Sequence, residues 1–355
     1  MIVAFVRVRS GESRRTAALA VIVSLLISMA IGSVLMLLAG KSPAYVWSEM
    51  ALRTFGDPYP LGQMLYKTTG LIFTGLAVSL ALDVGLFNIG VEGQMTAGVL
   101  GASLVGAALP PSMPTIIAVP LCLLAAAAFG GAVGYATGIL RVYRGAHEVI
   151  TGFMLNSIIA GVALWLGNEF LFQNGSTRGA TIISGAQLPQ LCFGGSAVNA
   201  SLFLAILVAI AMWWIRSKTT WVRAWRAVGS EPTTARTVGI DVPRTQILVM
   251  VGSAALAGLA SANFVLGHKH AFEEGLGRGA GFLGVAVALL GRLNPLGIIA
   301  GALLFGFLSS GGLAVADIVP KELTEMLQGI VVLVVAVITV WLPTRVAKVP
   351  TKGAP

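Results

Sequence analysis

The sequence predicts an all-α fold: a polytopic membrane helical bundle of about ten transmembrane helices, built as an inverted 5+5 pseudo-repeat with discontinuous helices. Three observations carry that expectation. Of the 355 residues, 56% are hydrophobic and 10% charged, against roughly 25% charged in a soluble globular chain. Uncharged runs long enough to cross a hydrocarbon core of about 30 Å recur along the chain. Between two of them the stretch GLFNIGVEGQMTAG (85–98) places an Asn, a Glu, a Gln and four glycines. Irregular backbone at that depth is tolerated only where protein or a water-filled cavity surrounds it, so a broken helix is expected there.

The elements follow in order. Arg7, Arg9, Arg14 and Arg15 precede an apolar run from Ala17 to Ala39. It is too long for the h-region of a signal peptide and lacks a convincing cleavage site, so it reads as a first span. Further runs lie at 68–84, 93–109, 115–140, 148–167, 199–215, 245–267, 280–291, 296–313 and 326–342. Threading them from a cytoplasmic N-terminus puts Arg141 and Arg144 on one side, with the cluster from Arg216 to Arg244, then Arg292, then Arg345, Lys348 and Lys352. This is the excess of cytoplasmic Lys and Arg that sets topology. The opposite loops are GDPYP (56–60), PPSMP (110–114) and a polar interval from about Asn168 to Asn199. Both termini fall inside. One transmembrane domain over 1–355 results, with a cytoplasmic N-terminal segment (about 1–16), a cytoplasmic loop (about 216–244) and a cytoplasmic tail (about 343–355). The polar intervals are too short to bury an independent soluble core.

A second stretch echoes the first. Aligning 85–103 with GLGRGAGFLGVAVALLGRL (275–293) matches glycines at 85/275 and 101/291. Each segment passes from Gly-broken backbone into a short apolar helix, and the two helices run in opposite directions. That is how inverted repeats place discontinuous helices near a transport site; the alternative is a chance likeness between Gly-rich membrane helices.

Several function classes are excluded. The net charge of +9 is spread between apolar runs and forms no aromatic-laced basic patch, which argues against nucleic acid. Cys122 and Cys192 lack metal-ligand or CxxC spacing. Gly40-Lys41-Ser42 resembles the end of a P-loop, but position 35 is Leu and a spanning helix, not a strand, precedes it. His147, His268 and His270 accompany no HExxH or GxSxG motif, and His268-Lys269-His270 reads as a solvated loop. No catalytic residue, metal site or cofactor is expected in this chain.

Two further segments stand out. In RAVGSEPTTARTVGIDVPR (226–244), Ser230 is suited to an N-cap, Pro232 to a first turn and Gly239 to a C-terminal stop. A helix of about two turns is not stable alone in water, so it docks on something or remains a plain surface turn. In RGAHEVITGFMLN (144–156), Glu148 and Asn156 follow within a helical pattern; Glu148 either faces a cavity or partner within the span or, as the favoured reading, sits at the membrane interface.

GLFNIGVEGQM (85–95), HEVITGFMLN (147–156), the positions of Gly229, Pro232, Gly239 and Ile240, and GFLGVAVALLGRLNPLGI (281–298) together resemble one family. It comprises the permeases of bacterial ATP-binding-cassette (ABC) importers for simple sugars, nucleosides and branched-chain amino acids. The likeness is nearest to the nucleoside and simple-sugar branch. His147, Thr234 and Leu283 depart from the family's usual Asn, Ala and polar residue. The resemblance implies a permease subunit of the bacterial inner membrane. It would pair with itself or a second permease, with two cytoplasmic ATPase subunits that bind ATP and Mg, and with an extracytoplasmic solute-binding protein. It also implies that Gly229, Ser230, Glu231, Pro232, Arg236 and Gly239 belong to the coupling helix that enters the ATPase. On the translocation path, Asn88, Glu92, Gln94 and Asn156 are candidates to hydrogen-bond a solute, and Phe87 and Phe282 to stack on it. Against this, Asn and Gln often bond across helices, and Glu92 is suited to capping the helix that follows it. The rival is a secondary transporter or channel without an ATPase. It needs paired charges along a pathway, and Asp83 and Glu92 are the carboxylates at the break.

Overall fold

The fold was obtained as a computed structural model that describes residues 14–172 and 176–346. Most of the expected N-terminal segment, and the tail holding Lys348 and Lys352, lie outside the described residues. Helix α1 (Arg14–Leu38) is followed by α2 (Pro43–Gly56), α3 (Pro58–Asp83), α4 (Val91–Ala108), α5 (Thr115–Arg144) and α6 (Glu148–Leu166). After a crossover containing β1 (Arg178–Thr181) come α7 (Ser201–Lys218), α8 (Thr220–Ser230) and α9 (Pro232–Thr237). Then follow α10 (Val242–Gly258), continued as a π-helix over Ala262–Lys269, and β2 (Ala271–Glu273). Helices α11 (Ala280–Leu290), α12 (Pro295–Ala314) and α13 (Lys321–Val346) complete the chain.

Each of the ten apolar runs falls on a helix. Among the described residues, seven helices are long and apolar enough to cross a membrane: 19–38, 58–83, 115–144, 148–170, 201–218, 242–269 and 295–314. The other three runs fall on α4 and α11, which begin at breaks in the bundle, and on α13, whose first turns carry Lys321, Glu322 and Glu325.

Apolar runs alone missed two features. Helix α2 has only 14 residues and leaves Tyr45, Leu52 and Phe55 exposed. Arg53 pins it by donating to Asp317 (2.7 Å), Glu49 (2.8 Å) and the carbonyl of Ala314 (3.0 Å). That hydrogen bond holds the Asp317 carboxyl below its ordinary range. Helix α3 starts ten residues before the expected run, because Asp57 caps it by accepting from Tyr59 N at 2.9 Å and Pro58 occupies its first turn. The threonines of its polar first half satisfy their hydroxyls on the helix itself, Thr68 Oγ1 donating to Met64 O at 2.8 Å and Thr69 Oγ1 to Leu65 O at 2.8 Å. The interval 168–199 is likewise more than a loop: β1 pairs antiparallel with β2.

Reciprocal packing is the organising feature. Helix α3 packs on α11 and α12, α10 packs on α4 and α5, and α3 and α10 pack on each other. The second half of one repeat thus completes the first half of the other, as an inverted repeat requires. Backbones approach closely where α4, α10 and α5 cross: a methyl group on Gly98 would overlap Gly258, and one on Gly130 would come within 2.6 Å of Ala254 O. Small residues at such crossings permit the dispersion contacts that hold helices together in lipid.

One end of the bundle is fastened by a buried ion pair. Arg216, in the last turn of α7, bonds Asp83 at 2.5 Å and the carbonyl of Ser79 at 2.8 Å on α3, and also the carbonyl of Leu293 after α11. Arg226 approaches the other Asp83 oxygen at 3.8 Å. Glu148, in the first turn of α6, is buried and pairs with Arg141 at 3.2 Å. Removing one partner of a buried pair strands a charge, at a cost on the order of 3–5 kcal/mol, whereas replacing both with apolar groups is often close to neutral. Arg216→Leu should therefore unfold in detergent at much lower denaturant than the wild type, and Asp83→Leu/Arg216→Leu should recover most of the loss. A double variant no better than the single one would count against this account.

Candidate functional site

After Asp83 the chain leaves helical geometry until Val91, as the glycines of 85–90 predict. Gly85 supplies the turn with φ 75°. Three groups hold the break. Asn88 and Gln94 form a closed amide pair: Asn88 Nδ2 donates to Gln94 Oε1 at 2.8 Å, and Gln94 Nε2 donates back to Asn88 Oδ1 at 3.0 Å. Asn88 also donates to Ser253 Oγ at 2.8 Å, and Ser253 donates to Ala77 O at 2.7 Å, which ties the break to α10 and α3. Asn156 of α6 bridges the other side, donating to Ile89 O at 3.0 Å and accepting from Gly93 N at 2.8 Å.

Glu92 does something different from the expected cap of its own helix. Its two carboxylate oxygens accept from Gly279 N (2.6 Å) and Gly281 N (2.8 Å), at the start of α11. The second Gly-broken stretch is therefore captured by the first. Two helix N-termini, each carrying a partial positive charge of about half a unit, face one another, and one carboxylate lies between them.

Beside this contact lies a cavity of about 240 Å³, whose lining includes Glu92, Asn156, Phe272, Arg278 and Phe282. Three of the six pathway candidates thus share one wall, with Phe282 45% exposed. The other three stand elsewhere. Asn88 and Gln94 are buried with their amides engaged, and Phe87 is half-buried at the edge of a small apolar cluster that includes Ala77, Val91 and Ala257. The reading of His268-Lys269-His270 as a solvated loop is overturned. It ends the π-helix, with His268 against Tyr66 at 5.2 Å between ring centroids.

The segment carrying the coupling candidates also differs in detail. Ser230 is not an N-cap but the last residue of α8, its hydroxyl bonded to Ala227 O at 3.2 Å. Glu231 is the N-cap residue in extended geometry, Pro232 opens the six-residue α9, which carries Arg236, and Gly239 (φ 83°) ends it. Proline at the first helical position leaves Glu231 outside the helix, since the residue before a proline is pushed to extended backbone. Gly229 was expected only as part of a docking loop. It lies against the break: a Cβ on it would meet Gly85 N at 2.9 Å, and one on Gly85 would meet Gly229 O at 3.1 Å. Sequence spacing could not reveal this contact, because the two glycines lie on separate elements.

Interrupted helices gripping one another inside an apolar bundle define a polytopic membrane transport component. Comparison with known proteins makes the class specific. The family model described as branched-chain amino acid transport system / permease component matches residues 61–336. The guanosine ABC transporter permease protein NupP of Bacillus subtilis is 34% identical over 322 residues, covering 89% of this chain and 92% of that protein. The nucleoside ABC transporter permease protein NupB of Lactococcus lactis is 32% identical over 327 residues, covering 89% and 90%. The glucose ABC transporter permease protein TsgB13 of Haloferax volcanii is 29% identical, covering 88% and 85%. The chain belongs to the branched-chain amino acid transport system permease family, and is a transport subunit of ABC type, not an enzyme.

A carboxylate capping a partly buried helix N-terminus contributes up to about 2 kcal/mol. In Glu92→Gln one acceptor oxygen becomes an NH2 that faces a donor. Hydrogen exchange at the amides of 279–281 should therefore speed up several-fold by mass spectrometry, with peptides from α12 unchanged. Wild-type exchange at 279–281 would remove the cap.

Proposed function

We propose that this chain is the permease subunit of an inner-membrane ABC importer that carries a nucleoside or a related sugar-like solute. Two permease subunits would flank the path, with ATPase subunits at the Arg216 end and an extracytoplasmic solute-binding protein at the other. ATP and Mg belong to the ATPase partners. The transported class follows the relatives covered almost end to end, two of which carry nucleoside or guanosine in their names. Sided placement follows charge: Arg141, Arg144, Arg216, Arg226 and Arg292 gather toward one end, which makes that end cytoplasmic. Both termini then lie on the cytoplasmic side.

The observation that carries the mechanism is the contact of Gly229 with Gly85. A short helix, α9, begins three residues after Gly229 and presents Glu231, Pro232 and Arg236 to a partner. Motion of that helix would reach the broken backbone through the close approach of Gly229 to Asp83, Val84 and Gly85. The Glu92 grip then passes it to α11. The site residues Glu92, Asn156 and Phe282 would line the solute's route, with Asn88 and Gln94 holding its wall.

The buried Asp83–Arg216 pair is the kind of feature that a secondary transporter would use. Here it is tied to two main-chain carbonyls besides, which suits a fixed fastening better than a moving proton carrier.

Uptake should stop when the partner ATPase is inactivated, and Pro232→Gly should weaken ATPase association in pull-downs while the permease still reaches the membrane. Uptake by this chain alone in proteoliposomes, driven by an ion gradient, would sink the importer reading.

A further inference from the structure

On the other side of the 274–279 loop lies a second cavity, of about 340 Å³, that none of the pathway candidates lines. Tyr66, Lys67, Phe264, Gly277, Arg278 and Ser309 bound it. Lys67 is nine residues into α3, about 14 Å along a helix that rises 1.5 Å per residue. It does not lie at a helix end, where lysine commonly reaches for headgroups. Its Nζ turns inward and donates to Ser309 Oγ at 2.6 Å and to Ser309 O at 3.3 Å on α12. An ammonium has three donors, so one remains beyond the Ser309 contacts. Among the described residues no carboxylate lines this cavity or pairs with Lys67. Ionisable residues within spans are costly and generally face a cavity or a pathway.

Part of the lining is aromatic. Tyr66 and Phe264 meet edge to face, with ring centroids 6.0 Å apart. Arg278 sits on the loop between the two cavities and lines both. That loop turns on Gly275, Gly277 and Gly279, all left-handed. Donors, aromatic faces and the absence of an acidic side chain together fit a ring-bearing solute rich in oxygen acceptors and without positive charge.

We propose that this cavity is a solute-binding station on the translocation path, in which Lys67, tethered by Ser309, donates to the solute's oxygens and excludes cationic analogues. The inference rests on the transport reading above and adds the residue that sets solute charge. Lys67→Met removes the donors and keeps the stem; Lys67→Arg keeps the charge; Ser309→Ala releases the tether.

Uptake of radiolabelled guanosine by membranes holding the complete complex tests it, with complex abundance followed alongside. Lys67→Met should raise KM about tenfold, the effect of roughly 1.4 kcal/mol in binding. Lys67→Arg should stay within about threefold, and Ser309→Ala should fall between them. The cationic 5′-amino-5′-deoxyguanosine should compete poorly in the wild type and better in Lys67→Met. Wild-type KM in Lys67→Met would overturn the station while leaving the importer intact. Should Lys67→Met fail to assemble, unchanged KM in Ser309→Ala overturns it equally. Wild-type membranes that take up neither guanosine, uridine nor glucose would instead overturn the solute class, and this site with it.

Discussion

The architecture depends on one carboxylate. In an apolar bundle a helix that starts part-way across the membrane exposes backbone N–H groups that no water can satisfy. Two such starts, α4 and α11, face each other here, and their dipoles present like partial charge. Glu92 answers both problems, because it belongs to the first turn of one helix and accepts the amides at the start of the other. The two Gly-broken stretches can then meet without stranding donors, and the cavity beside Phe282 forms where they do.

At the arginine-rich end the connections are of a different kind. Arg216 gathers the end of α3 and the turn after α11 onto α7 through charge and carbonyl contacts. Gly229 meets the broken backbone through shape alone. A rigid fastening thus stands next to a contact that depends on the lack of side chains.

Much of the fold was legible because its causes are local. Apolar runs mark helices wherever lipid or packing demands it, and glycines with Asn and Glu marked the break at 85–90. Helix α2 was not legible, since a 14-residue helix carries no membrane-length run. The early start of α3 was hidden because the Asp57 cap and Pro58 set it, ten residues ahead of the apolar run. At the site, Glu92 was recognised as a capping group, but the helix it caps lies 187 residues away in sequence. The Asp83–Arg216 pair and Lys67 share this limit: the chain shows each charge, while only the three-dimensional arrangement shows what it meets.

Reciprocal packing also has a consequence for biosynthesis. Helix α3 is the most enclosed of the seven spans, with 83% of its apolar window buried, yet its main partners α11 and α12 are more than 190 residues further along. At the usual pace of synthesis, about 5–20 residues per second, they arrive roughly ten to fifty seconds later. Until then the small residues and threonines of α3 face lipid or insertion machinery. The newly inserted chain is thus an assembly intermediate by construction. Its final shape is reached by helices exchanging lipid neighbours for protein ones after the last spans have entered the membrane.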